Sequence, residues 1–241
     1  MADASIDPVE VEKFSALAAE WWNPKGPFGA LHRMNPVRLQ YIRNLAANHF
    51  GAERTKSLAG LSALDLGCGG GLVSIPLARM GAKVTAIDAS EGAIGAARAY
   101  AEQTGVDVDY RCTTAEVLVE SDERFDLVAA LEIVEHVADV KAFLAAAAAL
   151  VKPEGLLVLS TINRTSKARA LAITGAERIL KWAPEGAHDY DKLVAPAEIR
   201  AAVPTLHWFE PVGITYQPVG KGWTLSRDVS VNYLIAGVKP A

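Results

Sequence analysis

Cysteine is scarce in this 241-residue chain: Cys68 and Cys112 are its two, and neither belongs to a CxxC pair. Two isolated thiols cannot build a disulfide framework, and they fit a reducing cytoplasm. Long apolar runs are missing as well. The longest, Ala142 to Val151, has the length of a core helix and falls short of the roughly 18 residues a spanning helix needs. The opening Met1-Ala2-Asp3-Ala4 lacks a basic region followed by an apolar one, so no secretory signal is expected. Nor is there a basic excess. The 24 Lys and Arg face 28 Asp and Glu, a formal charge of −4, which argues against general nucleic-acid binding. What is present is a 51% apolar chain, long enough for one large α/β domain and predicted to be a cytoplasmic enzyme.

From Ser62 onward short apolar runs alternate with helical patterns. Strands are predicted at Ala63–Leu66, Lys83–Ile87, Val106–Arg111, Phe125–Leu131 and Leu156–Ser160. Helices are predicted at about Leu72–Arg79, Glu91–Gln103 and Ala142–Val151, the last followed by a turn at Lys152-Pro153-Glu154-Gly155. Such alternation implies right-handed crossovers and a mostly parallel sheet covered by helices on both faces. Before this core, Asp7-Pro8 with Glu10 reads as a helix start with an N-cap, a proline at N1 and a capping-box acid. Phe14, Leu17, Ala18 and Trp21 follow at i, i+3, i+4 and i+7 and form one apolar face. After the core come a helical pattern over Thr165–Trp182, a short helix after Pro196, and β-like runs at Leu206–Tyr216 and Val231–Val238.

The stretch Leu64-Asp65-Leu66-Gly67-Cys68-Gly69-Gly70-Gly71 lies between the first strand and the first core helix. Glycines there let the backbone turn tightly and a ligand approach closely. Asp88 closes the second strand roughly 20 positions on, where an acid can bind the hydroxyls of a ribose. A nucleoside-containing ligand is expected. A dinucleotide fingerprint would put a third glycine where Leu72 stands, and the charge of Asp65 opposes a pyrophosphate. A cationic sulfonium compound tolerates that charge better. The spacing Gly67-x-Gly69-x-Gly71 is similar to the first motif of class I S-adenosylmethionine-dependent methyltransferases, hh(D/E)hGxGxG. An NAD-dependent oxidoreductase is the alternative of another class, with Leu72 and Asp65 as its misfits. A cofactor-binding regulator without turnover is a third.

Beyond the fourth strand stands Glu132-Ile133-Val134-Glu135-His136-Val137. If this stretch is helical, Glu132, Glu135 and His136 share one face at i, i+3 and i+4. Such a set suits a divalent ion, with carboxylate oxygens matching Mg²⁺, or offers His136 as a general base. It can equally serve only to close the cofactor pocket.

Four stretches together resemble the ubiquinone-biosynthesis O-methyltransferase family. They are Phe14 to Ile42, with Trp21-Trp22-Asn23-Pro24 and Leu31 to Leu39; the glycine loop through Asp88; Glu132 to Val137 with Leu150 to Gly155 and Ser160 to Arg164; and Gly175-Ala176-Glu177, His188-Asp189 and Asp228 to Tyr233. The resemblance implies a class I (Rossmann-like) fold, a seven-stranded mostly parallel sheet with a reversed last strand. It implies O-methylation of polyprenyl catechols and of demethylubiquinol, with S-adenosylmethionine contacted by Arg38, Gly67, Gly69, Asp88 and Leu131. Glu132, Glu135 and His136 match the positions that hold Mg²⁺ in mitochondrial members, and they are the catalytic candidates. A methyltransferase for another catechol or small phenol is the nearest alternative. One departure is Glu154, where a second glycine is common in the family's Lys-Pro-Gly-Gly turn.

Residues 1–241 read as one domain: a helical cap or lid (1–60), a cofactor-binding core (61–161), a helical insertion (162–205) and C-terminal strands (206–241). The lid candidates are Trp21, Trp22, Phe28 and His32. A polyprenyl substrate resides in membrane, and Thr165–Trp182 offers a broad apolar face flanked by Lys167, Arg178 and Lys181, the pattern of an interfacial helix. Peripheral contact with lipid of the inner (cytoplasmic) membrane is therefore expected, as is association with other ubiquinone-biosynthesis enzymes. His188 and Asp189 are either pocket-lining or plain surface residues, Cys68 a small residue in a tight loop, and Cys112 a core residue at a strand end.

Overall fold

The structure, a computed structural model, describes residues 5–51, 57–171, 189–217 and 222–241. The first helix, α1 (Pro8–Ala16), starts as the sequence predicts: Asp7 is the N-cap, its side chain accepts from Val9 N, and proline occupies the first turn. Glu10 does not complete a capping box; its carboxylate goes to His136. A single 3₁₀ turn, Ala18–Glu20, leads to α2 (Gly29–Phe50), which ends on Gly51 in the left-handed region.

The core then runs β1 (Ser62–Leu66), α3 (Ser74–Arg79), β2 (Lys83–Asp88), α4 (Glu91–Thr104), β3 (Asp109–Cys112), α5 (Ala115–Val119), β4 (Phe125–Leu131), α6 (Val140–Ala149) and β5 (Val151–Ile162). After it come α7 (Ser166–Ala168), α8 (Pro196–Ala202), β6 (His207–Trp208), β7 (Val212–Gln217), β8 (Gly222–Ser226) and β9 (Asn232–Val238). The sheet order is β3-β2-β1-β4-β5-β9-β7-β8, with β6 against β9. β1 to β5 pair in parallel, whereas β9 runs antiparallel to both β5 and β7.

Alternation along the strands separates two cores. Ala63, Leu127, Ala129, Leu156 and Val158 face the α2–α4 side, and Leu64, Leu66, Val128, Leu157 and Leu159 face α5, α6 and α8. Asp65 shares the parity of Ala63 and so points towards α2, where Arg38 stands.

Several expectations are corrected. The described sheet has nine strands rather than seven, because a two-residue β6 and a whole strand, β8, join it. β8 is Gly-Trp-Thr-Leu-Ser, an alternation too short to announce itself, and it forms by pairing with β7 from Gly213↔Ser226 to Gln217↔Gly222. The fifth strand begins at Val151 because the turn sequence Lys152–Gly155 is drawn into it beside Lys239. Cys112 is exposed rather than in the core, since β3 is the sheet's edge. Of the predicted helix Thr165–Trp182, residues from 172 on lie outside the described residues; before them Thr165 caps α7 through Ala168 N.

Candidate active site

The carboxyl ends of β1, β2 and β4 meet at one edge of the sheet, where open α/β sheets bind ligands. Gly67–Gly71 loops out of β1 there. Its conformation is fixed by Asp88 at the end of β2, whose carboxylate accepts from Gly69 N at 2.9 Å and from Ser90 N at 2.8 Å. Burial raises the Asp88 carboxyl, and those two backbone donors work against the shift. Gly69 adopts φ +50°, and a Cβ on it would lie 2.3 Å from the Trp21 ring. That ring rests on the loop, stacked on Phe28 with centroids 3.7 Å apart and planes 1° from parallel. Leu72, the residue that breaks a dinucleotide fingerprint, completes this cluster. Trp21 and Phe28, two of the predicted lid residues, thus form a packed aromatic cover on the loop. Trp22 reinforces it by donating from Nε1 to Gly70 O at 2.8 Å and stacking on Tyr100, while His32 Nε2 bonds Trp21 O.

Two cavities meet beside these aromatic rings and share Phe14, Trp21, Gly67, Glu132 and His136. The smaller, about 110 Å³, contains Asp88, Gly69, Thr114 and Ile133; the larger, about 530 Å³, contains Arg38, Asp65, Leu131 and the apolar side chains of α2 and the β7–β8 hairpin. Arg38 is wholly buried. Its Nη2 donates to Asn35 Oδ1 at 3.1 Å, its Nη1 lies 3.7 Å from Glu132 Oε1, and its Nε has no partner. Burial lowers its affinity for a proton, while Glu132, Asp65 and Glu135 restore it. Asp65 accepts from Ser74 Oγ at 2.5 Å, and burial pushes its carboxyl up to about 7.

Glu132 holds a left-handed backbone, φ +54°, at the end of β4, a strained conformation of the kind found at functional sites. Its Oε1 accepts from Ser160 Oγ at 2.5 Å. The shared helix face expected for Glu132, Glu135 and His136 does not form. Glu132 is not helical, and only Val134–His136 makes a 3₁₀ turn. Glu132 and His136 line the cleft, whereas Glu135 lines neither cavity. It is 3% exposed with both oxygens unpartnered, and burial, reinforced by Glu132, pushes it up to about 8. Among the described residues no three His, Cys, Asp or Glu side chains converge as a metal site, so the three-residue set expected to hold Mg²⁺ is not assembled.

His136 Nδ1 stands 3.0 Å from Glu10 Oε2, and Phe14 packs edge-on to the imidazole at 5.0 Å. Glu10 had only a capping signal in the sequence; its reach to His136 depends on the docking of α1 over the cleft. His188 lies outside the described residues. Asp189 is exposed and caps Asp191 N.

Residues 64–159 match the family described as Methyltransferase domain. A ubiquinone biosynthesis O-methyltransferase from Rhizobium etli is 50% identical over 244 residues, covering 100% of this chain and 98% of that protein. The chain belongs to the ubiquinone biosynthesis O-methyltransferase family. Another relative of the same name, from Brucella anthropi, is 48% identical over 100% of this chain and 98% of its own length. Solved structures agree on the class I methyltransferase fold of this family member. Magnesium protoporphyrin IX methyltransferase from Synechocystis with bound SAH gives a TM-score of 0.65 at 20% identity, covering 95% of this chain and 94% of that one. The N-methyltransferase NodS from Bradyrhizobium japonicum in complex with S-adenosyl-L-homocysteine gives 0.61 at 17%, covering 96% and 99%.

Proposed function

We propose that the protein transfers a methyl group from S-adenosylmethionine to a phenolic hydroxyl of a polyprenyl catechol or demethylubiquinol in ubiquinone synthesis. The observation that carries this reading is full-length identity of about half to the ubiquinone biosynthesis O-methyltransferases, on a chain whose glycine loop, Asp88, Arg38 and Asp65 surround one cleft.

The residues fit the cofactor. Asp88 would take the ribose hydroxyls, the Gly67–Gly69 backbone would hold the ligand close, and Leu131 would border it at the end of β4. The unpartnered Nε of buried Arg38 is a donor for a carboxylate. Asp65 gives the cleft a negative field suited to a cation. When bound, S-adenosylmethionine supplies an electrophilic methyl group on a sulfonium.

The chain's part is then alignment and proton removal. A phenol ionises near a pKa of about 10, so a base beside the acceptor oxygen is required near neutrality. Glu10 holds one imidazole nitrogen of His136, which places the basic lone pair on the other nitrogen in this reading. Glu132 would anchor a substrate hydroxyl, with Ser160 and Arg38 fixing its carboxylate. Because Glu135 is turned out of the cleft, no step here runs through Mg²⁺; full activity in EDTA is expected.

Membrane contact belongs to the same reading. No helix among the described residues is long and apolar enough to cross a membrane. Leu171, at the start of the insertion, is 53% exposed, and it lines the larger cavity with Lys167. A lipid substrate would enter beside them, with partner enzymes of the same synthesis delivering it.

Methylation of a short-chain polyprenyl catechol by the purified protein, followed with labelled S-adenosylmethionine, tests the proposal. Tight NADH binding with no response to S-adenosylmethionine would overturn it in favour of an oxidoreductase.

A further inference from the structure

The larger cavity changes character along its length. One end carries Glu132, His136, Arg38 and Asp65, where the lid and glycine loop meet. The wall built by α2 and the β7–β8 hairpin is mostly apolar, Leu31 and Met34 with Ile214, Tyr216 and Trp223, while Thr215, Asn232 and the Lys167–Asp228 ion pair line the cavity beside it. Met34 and Ile214 are buried within the core on this side of the sheet, and Trp223 packs against that core. Tyr216 and Trp223 face each other across the hairpin with ring centroids 5.4 Å apart. Tyr216 is 42% exposed, so its end of the cavity opens to the surface.

A bare catechol has no hydrocarbon chain to set against that apolar wall. At about 530 Å³ the cavity lies within the usual size of ligand pockets, and its two halves match an amphiphile with a polar ring and a hydrocarbon chain. We infer that the β7–β8 hairpin and the facing side of α2 form the subsite for the first isoprene units of the substrate tail, with Tyr216 and Trp223 as its specificity-determining walls. The inference rests on the methyltransferase reading and assigns residues to a part of the substrate that the reading leaves unplaced. It also explains why the sheet extends past β7: without β8 the apolar end would lose the wall that Trp223 provides.

The test compares two acceptors that share one catechol head, one without a tail and one carrying two isoprene units. Burying even part of such a chain lowers KM by at least about tenfold for the wild-type protein, given roughly 0.8 kcal/mol per buried CH₂. Tyr216→Ala and Trp223→Ala should raise KM for the prenylated acceptor about tenfold and bring the ratio between the two acceptors towards one. Calorimetric binding of S-adenosylhomocysteine checks that each variant is folded. Trp223→Leu, which keeps an apolar side chain there, should give an intermediate ratio and decides the matter if the alanine variant does not fold. A wild-type ratio near one, or a ratio unaltered in the folded variants, overturns the inference while leaving the methyltransferase reading standing. Methylation of neither acceptor overturns both.

Discussion

Glu10 Oε2 and His136 Nδ1 stand 3.0 Å apart, joining the first turn of α1 to the turn that follows β4. His136 is the main cause that holds the Glu10 carboxyl below its ordinary range, in spite of burial. Lys192 also reaches Glu10, at 3.7 Å, and Asp7, at 3.0 Å, so the exit of the insertion is tied to the same helix. The imidazole is thus oriented by a helix whose Phe14 also packs with Trp21 and Phe28.

Glu10→Gln should therefore lower kcat by about ten- to hundredfold, no more than the low end of the effect of losing an acid–base group itself, because Glu10 only orients His136. The KM for S-adenosylmethionine should change far less. Steady-state kinetics with both substrates varied would check this. Equal losses in kcat and in cofactor affinity would instead assign Glu10 to closing the pocket.

Asp65 makes the cofactor-free protein sensitive to pH. Its carboxyl is raised to about 7 by burial, so between its ordinary pKa and that value the folded protein binds more proton than the unfolded chain. The contribution of Asp65 to stability is complete at low pH and is lost as pH rises through about 7. A cationic ligand favours the ionised form, so affinity for S-adenosylmethionine should increase by up to about tenfold per pH unit well below pH 7 and level off above it. Calorimetric titrations at several pH values would show this slope, and Asp65→Asn should flatten it.

Gly69→Ala sets a methyl group against Trp21 and puts a side chain into the left-handed region. Loss of cofactor affinity by tenfold or more is expected, with the indole displaced. Tryptophan fluorescence would report the displacement, and a spectrum unchanged from wild type would count against the contact.

Glu154 tests the chain's departure from the family turn. It holds φ +60° while its N–H bonds Lys239 O and its carbonyl accepts from His49 Nε2. Glycine relieves the left-handed penalty and returns part of the gain through greater freedom when unfolded. Glu154→Gly should raise stability by roughly 0.5–1 kcal/mol, read from the urea midpoint, with turnover unaltered.

Much of this was legible in the residues. The strands β1, β2 and β4 announce themselves as apolar runs, and Gly67-x-Gly69-x-Gly71 with Asp88 marks the cofactor edge because backbone geometry demands glycine there. The acids after β4 were legible as residues and not as geometry. Helical spacing puts Glu132, Glu135 and His136 on one face, but Glu132 leaves the strand with positive φ outside any helix, and Glu135 is buried. β8 was invisible because a five-residue strand is created by its partner rather than by its own pattern. Cys112 is exposed because strand order, which no local signal carries, makes β3 an edge.

The position of β9 also bears on how the protein is made. It follows β6, β7 and β8 in the chain yet lies between β5 and β7. The hairpin that carries Tyr216 and Trp223 thus has no strand joining it to the parallel half until residues 232–238 have inserted between them. Assembly of this half should therefore be a late, long-range event in refolding, and a released chain truncated before β9 should remain open to proteases there.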